Sequence, residues 1–114
     1  MQLLVLVTKE CERLDDLLLT LSSAGVSGAT ILDCEGMAER LIRAKNKDEI
    51  PFFELFAEML LDGNVSGKMV LMVLHEEQLE RARCIIREFS GGLEKPNTGI
   101  MFGVPLSFTE GIRF

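Results

Sequence analysis

The sequence predicts an α+β domain: one antiparallel sheet with two helices packed on one face, and a helical insertion between the second and third strands. Three observations carry this prediction. Short apolar runs rich in branched side chains alternate with amphipathic stretches. The order strand, helix, glycine turn, strand occurs twice. About thirty residues separate the two occurrences, well beyond the roughly 12 to 15 at which an unstructured loop becomes unusual inside a compact domain.

Residues 2 to 8 form a branched-rich apolar run that is too brief for an independent helix and is bounded by Thr8-Lys9-Glu10, which predicts a buried strand. From Glu12 to Ala24 the leucines at 14, 17, 18 and 21 recur at i, i+3, i+4 and i+7, the stripe of an amphipathic helix. Gly25 ends that helix, because glycine takes the left-handed conformation without steric cost. Ala29 to Glu35 reads as the second strand, closed by Gly36. Lys68 to Leu74 is the third strand. A helix from about Glu76 to Phe89 follows, with Leu79, Ala82, Ile86 and Phe89 on one stripe and Gly91-Gly92 at its end. After the turn-rich Lys95-Pro96-Asn97-Thr98-Gly99 comes the last strand, Ile100 to Val104, and Pro105 begins a ten-residue tail. This order is the split β-α-β arrangement of a ferredoxin-like sandwich.

A chain of 114 residues with 47% hydrophobic and 26% charged side chains is one globular domain over residues 1–114, with a 37–67 insertion and a 105–114 tail. Its net charge of -6 repels a phosphate backbone and disfavours nucleic-acid binding. No basic residue precedes the Leu3–Val7 run, so no secretory signal is predicted. The longest apolar stretch, Met69 to Leu74, is six residues, against the roughly 20 that a membrane span requires. The three cysteines, at 11, 34 and 84, fit neither a disulfide framework nor the paired spacing of a zinc site, and the chain reads as a reduced, cytoplasmic protein. The cysteines are expected to be buried small hydrophobes. Cys11, near the start of a helix, is the one to test for a lowered pKa.

A sheet with one wet face alternates apolar and polar residues. These strands do not: Leu3, Val5 and Val7 face one way, Leu4 and Leu6 the other, and Met69 to Leu74 is apolar on both faces. Two helices cover one face only, so the other needs a second subunit or the insertion, and a homo-oligomer is expected.

The insertion has two unlike halves. Arg40 to Lys47 carries four positive charges in an otherwise acidic chain, directly after Gly36-Met37. It is either a short helix with a solvated basic face or, beside a glycine turn, a holder for an anion such as phosphate. Pro51 to Leu61 opens with proline, which suits a first helical turn, and is apolar nearly all round. This half either packs on its own sheet or a neighbouring subunit, or docks a partner protein through Phe52, Phe53, Phe56 and Met59. Catalytic machinery is thin: the single histidine, His75, has no serine or cysteine adjacent in sequence and reads as a turn residue before Glu76 and Glu77, whose charges suit a helix N-terminus. No enzymatic activity, metal or cofactor is predicted.

The opening Leu3-Leu4-Val5-Leu6-Val7, the Gly25-Val26-Ser27-Gly28-Ala29-Thr30 stretch leading to Gly36-Met37, and the closing Thr98-Gly99-Ile100-Met101-Phe102 resemble, in order and spacing, the PII-like family, the superfamily that includes the trimeric nitrogen-regulatory PII signal proteins. The resemblance covers nearly the whole chain. It implies a cyclic trimer with sheets facing inward, ligand clefts between neighbouring subunits and an insertion that changes shape to signal. PII proteins hold adenine nucleotides with a Gly-Asp-Gly-Lys segment, whose lysine is missing from Pro96-Asn97-Thr98-Gly99 here. Where the family has Gly-aromatic-Gly-Arg-Gln, this chain has Gly36-Met37-Ala38-Glu39-Arg40, with a carboxylate in place of the arginine. The tyrosine that some members modify is absent, because the chain contains no tyrosine. The insertion resembles the more helical variant of uncharacterised PII-like proteins. Thr30 and Gly36 match cleft positions, and Arg113 in the tail stands near a phosphate-binding arginine of the family. The expectation is a homotrimeric, non-enzymatic regulator. Its inter-subunit cleft, drawn from Thr30, Gly36, Met37, Arg40, Arg43, Asn97, Thr98, Gly99 and Arg113, binds a small anionic ligand, with an adenine nucleotide as a candidate. The alternative is a constitutive interaction module that uses the 51–61 helix and takes no small ligand.

Overall fold

The two most apolar segments of the chain lie side by side at the centre of the sheet. The computed structural model describes residues 1–9, 12–44, 47–49, 54, 67–91 and 99–112. Strand β1 is Gln2–Thr8, β2 is Thr30–Cys34, β3 is Gly67–Leu74 and β4 is Gly99–Pro105. Their order is β2-β3-β1-β4, antiparallel at every step, so β2 and β4 form the two edges. Helix α1 is Leu14–Ser23, α2 is Met37–Ala44 and α3 is Glu76–Ser90, with a short 3-10 turn at Lys47–Glu49. The arrangement is the ferredoxin-like one that the sequence predicts. Element ends differ by one or two residues, as is usual where helices fray. The first half of the insertion is helical, in α2. The second half, 51–61, lies outside the described residues apart from Glu54, and so does Cys11.

Alternation along the strands divides the apolar residues between two faces. Leu4 and Leu6 of β1 and Val70, Met72 and Leu74 of β3 meet Leu14, Leu17 and Leu21 of α1 and Ala82, Ile86 and Phe89 of α3 in one core, with Val26 from the connection. Strand register puts the other set on the opposite face in three rows. Val104, Leu3 and Val73 make the first; Phe102, Val5, Leu71 and Thr30 the second; Ile100, Val7, Met69 and Leu32 the third. No helix among the described residues covers this face. Its outer members Leu32, Ile100, Phe102 and Val104 are 43% to 59% exposed in the single chain.

Three contacts fasten the helices. Gly25, at φ +97°, turns the chain out of α1. The Gln78 side chain then works at two places: its Oε1 accepts the N–H of His75 at 3.1 Å, and its Nε2 donates to the Gly25 carbonyl at 2.8 Å. His75 is therefore the N-cap of α3, in extended backbone. At the other end Arg13 donates to the Phe89 carbonyl at 3.3 Å, with its guanidinium 5.1 Å from the Phe89 ring centroid. On the solvent face of α3, Glu80 accepts from Arg83 at 3.1 Å and Arg87 at 3.2 Å.

The cysteines depart from the expected burial. Cys84 is exposed, because the buried stripe of α3 runs through 82, 86 and 89 and position 84 falls on the opposite side; Cys34 is half-buried at the end of an edge strand. The tail forms no strand over 106–112. It is held instead by the Leu106 N–H on the Met1 carbonyl at 3.1 Å.

Two predictions follow from these contacts. Gln78→Ala removes both a cap and a tie between elements, and should lower unfolding free energy by about 1–2 kcal/mol, read from the urea midpoint. The hydrogen bond from Arg87, and then the charge of Arg83, hold the Glu80 carboxyl below its ordinary value. Its contribution to stability is therefore present above the unfolded carboxylate pKa and is lost as pH falls through the lowered folded value. The gap in urea midpoint between wild type and Glu80→Gln should be open at pH 7 and should close on acidification past that window.

Candidate functional site

Each site residue named from sequence can be placed by its strand or helix. Gly36 links β2 to α2, and the Arg40 N–H closes the first turn of α2 on the Gly36 carbonyl at 3.0 Å. A Cβ built on Gly36 meets nothing within 4 Å, so neither packing nor a left-handed φ demands glycine there. Met37 begins α2 with its side chain exposed. Arg40 and Arg43 both belong to α2. The Arg40 guanidinium is exposed and stands 3.7 Å from the Glu35 carboxylate. An anion arriving at Arg40 therefore competes with a carboxylate of the same loop, a partner that the sequence reading did not identify because residues five apart across a strand-to-helix turn follow no fixed spacing.

Gly99 has a structural role of its own. It lies opposite Thr8 at φ +125°, and a Cβ there would come within 2.1 Å of the Val7 carbonyl oxygen. Backbone approach alone accounts for this glycine, whatever Asn97 and Thr98 do. Asn97, Thr98 and Arg113 lie outside the described residues, as do Phe52, Phe53, Phe56, Met59 and the Arg43 side chain.

The single chain does not gather these residues into one site. Register places Asp33, Lys68, Thr8 and Gly99 in one row across the sheet, with Lys68 and Asp33 paired in it. Gly36 and Gly99 thus lie toward the same end of the sheet but at opposite edges, three strand spacings or about 14 Å apart across the strands alone. Thr30 opens β2, about 20 Å along the strand from Gly36. There it lines a depression of about 330 Å³ with Ser27, Gly28, Ala29, Leu71, Val73 and Ile112. Ile112 brings the tail to this point, one residue before Arg113. No periodicity in the tail could have predicted that contact.

Among the described residues no three His, Cys, Asp or Glu side chains converge as a metal site requires, and no helix is long and apolar enough to cross a membrane. A scan against protein-family models finds no match to this chain, and a search of the curated proteins finds none either.

The two glycines should separate experimentally. Gly99→Ala must shift the β1–β4 pairing and should cost about 3 kcal/mol or more of stability. Gly36→Ala should stay within about 0.5 kcal/mol of wild type. Denaturation of the two variants side by side checks both.

Proposed function

We propose that this protein is a regulator of the PII-like type that works as a homotrimer and binds a small anionic ligand, with an adenine nucleotide as the candidate, between neighbouring copies. The observation that carries the reading is the split of the site. The Gly36–Arg40 segment and the Gly99 turn lie at the same end of one sheet and at its two opposite edges. A junction between the β2 edge of one copy and the β4 edge of another would bring the two segments to one ligand. The exposed outer members of the second apolar face, Leu32, Ile100, Phe102 and Val104, support the same reading, since apolar residues grouped in this way mark an interaction surface.

Arg40 supplies the positive charge in this scheme and Gly36 leaves the backbone open to approach. The ligand replaces Glu35 as the partner of Arg40 and so bears on the start of α2 and the 37–67 insertion. The signal depends on how much more tightly the ligand binds one arrangement of the insertion than another, not on affinity alone. Neither the missing lysine nor Glu39 in place of an arginine favours tight phosphate binding, and micromolar affinity is the expectation.

Calorimetric titration with ATP, ADP, AMP and cyclic dinucleotides at fixed salt tests this. Saturable heat with one of them is expected. The double variant Arg40→Ala, Arg43→Ala should weaken it about tenfold or more, the worth of a charged hydrogen bond. Unchanged affinity in that variant would remove the basic segment from the site, and no heat with any nucleotide would retire the nucleotide as ligand.

A further inference from the structure

On the helix side of the sheet β4 carries little bulk. Its residues of that parity are Gly99, Met101, Gly103 and Pro105, because Ile100, Phe102 and Val104 pair with the open-face residues of β1. Helix α3 lies over β1 and β3, and the stripe it buries is Ala82, Ile86 and Phe89. Leu79 and Arg83, one turn apart, stand on the flank of that stripe. Between this flank and the β4 edge is a hollow of about 250 Å³, lined by Leu4, Leu79, Arg83, Met101, Phe102 and Gly103. Gly103 keeps it open. A Cβ there would meet the Gln2 side chain at 3.5 Å and the Leu3 carbonyl at 3.8 Å, both ordinary contacts, and its φ is not left-handed. Neither packing nor backbone demands glycine, which weakens a strand interior and often marks the close approach of a ligand.

Arg83 is the one charged residue of this lining. Its Nη1 donates to Glu80 Oε2 at 3.1 Å, while Glu80 Oε1 accepts from Arg87 Nη2 at 3.2 Å. Two guanidiniums thus share one carboxylate and leave one positive charge in surplus, in a chain whose net charge is -6. When Arg83 turns to a ligand, Glu80 keeps Arg87. At the Gly103 end the neighbouring side-chain charge is the Glu76 carboxylate, which accepts from Gln2 Nε2 at 3.3 Å. The anionic end of a ligand therefore belongs at Arg83.

We propose that this hollow binds a small monocarboxylate with an aliphatic body. The hydrocarbon lies over Gly103 between Leu79 and Met101, and the carboxylate takes the Arg83 fork. A monoanion matches the single surplus charge, and exchange with Glu80 replaces one carboxylate by another on the same guanidinium. The thioether of Met101 adapts to the shape of the chain. A volume just under the roughly 300–1,000 Å³ of pockets for larger ligands suits such a molecule. The site lies within one chain and uses neither Gly36 nor Arg40, so it stands or falls apart from the nucleotide reading above.

Methyl NMR on the full chain labelled at its six methionines tests this. Met101 lines the hollow, whereas Met69 belongs to the opposite face of the sheet and reports adsorption there. The probes are octanoate, octanol and acetate, each below its micelle-forming concentration, with the Met101 signal assigned by Met101→Leu. Octanoate should shift the Met101 methyl saturably and leave Met69 in place. Octanol, which lacks the charge, and acetate, which lacks the body, should each bind about tenfold more weakly or worse. Arg83→Gln should bring octanoate down to the affinity of octanol. Gly103→Val, which puts a side chain suited to a strand into the hollow, should abolish the shift. Equal affinity for octanol and octanoate, a Met69 signal that moves in step with Met101, or no shift at all would overturn the proposal. So would octanoate binding that survives both substitutions.

Discussion

A sheet that is apolar on both faces, with the described helices α1 and α3 packed on one of them, sets the terms for the rest of this molecule. The parity of β1 and β3 divides the same hydrophobic runs into two sets. Leu4, Leu6, Val70, Met72 and Leu74 are buried beneath α1 and α3. Leu3, Val5, Val7, Met69, Leu71 and Val73 make the opposite surface, which Phe102 and its neighbours extend to the β4 edge. The outer members of that face, Leu32, Ile100, Phe102 and Val104, stay exposed in the single chain, whereas Val5 at its centre is buried. The same parity that builds the core thus leaves exposed apolar side chains on the two edge strands of the described sheet, β2 and β4.

Site geometry follows from that topology. Strand order β2-β3-β1-β4 sends the two glycine turns that bracket the candidate site to opposite edges of the sheet. Antiparallel pairing then returns them to the same end. Among the described residues of one chain, Gly36 and Gly99 do not meet. The two glycines also differ in kind. Gly99 is fixed by the approach of its backbone to Val7, while Gly36 stands in open space. Only the second is free to be there for something other than the fold.

Charge is arranged with similar economy. Arg83 and Arg87 of α3 are engaged with Glu80 on the solvent side, and Arg40 stands beside Glu35. Exposed pairs of this kind contribute little to stability, on the order of 1 kcal/mol or less. Their consequence lies in binding: an anion that approaches Arg40 competes with Glu35 for it.

Element types and order were legible from local pattern, because a period of 3.6 at Leu14, Leu17 and Leu21 and at Ala82, Ile86 and Phe89 survives into the folded state unchanged. So was the surplus apolar face, since strand parity is a property of the chain itself. Burial of the cysteines was misread because free cysteine's general preference says nothing of which side of a helix position 84 occupies. What the sequence by itself determined was therefore which residues share a face. Only the tertiary structure decided which faces meet and which sheet edges stay open. It set Glu35 against Arg40, Gln78 against Gly25 and Ile112 against Thr30, and it parted Gly36 from Gly99. Each of these depends on strand order and loop path, which bring together residues that no local periodicity relates.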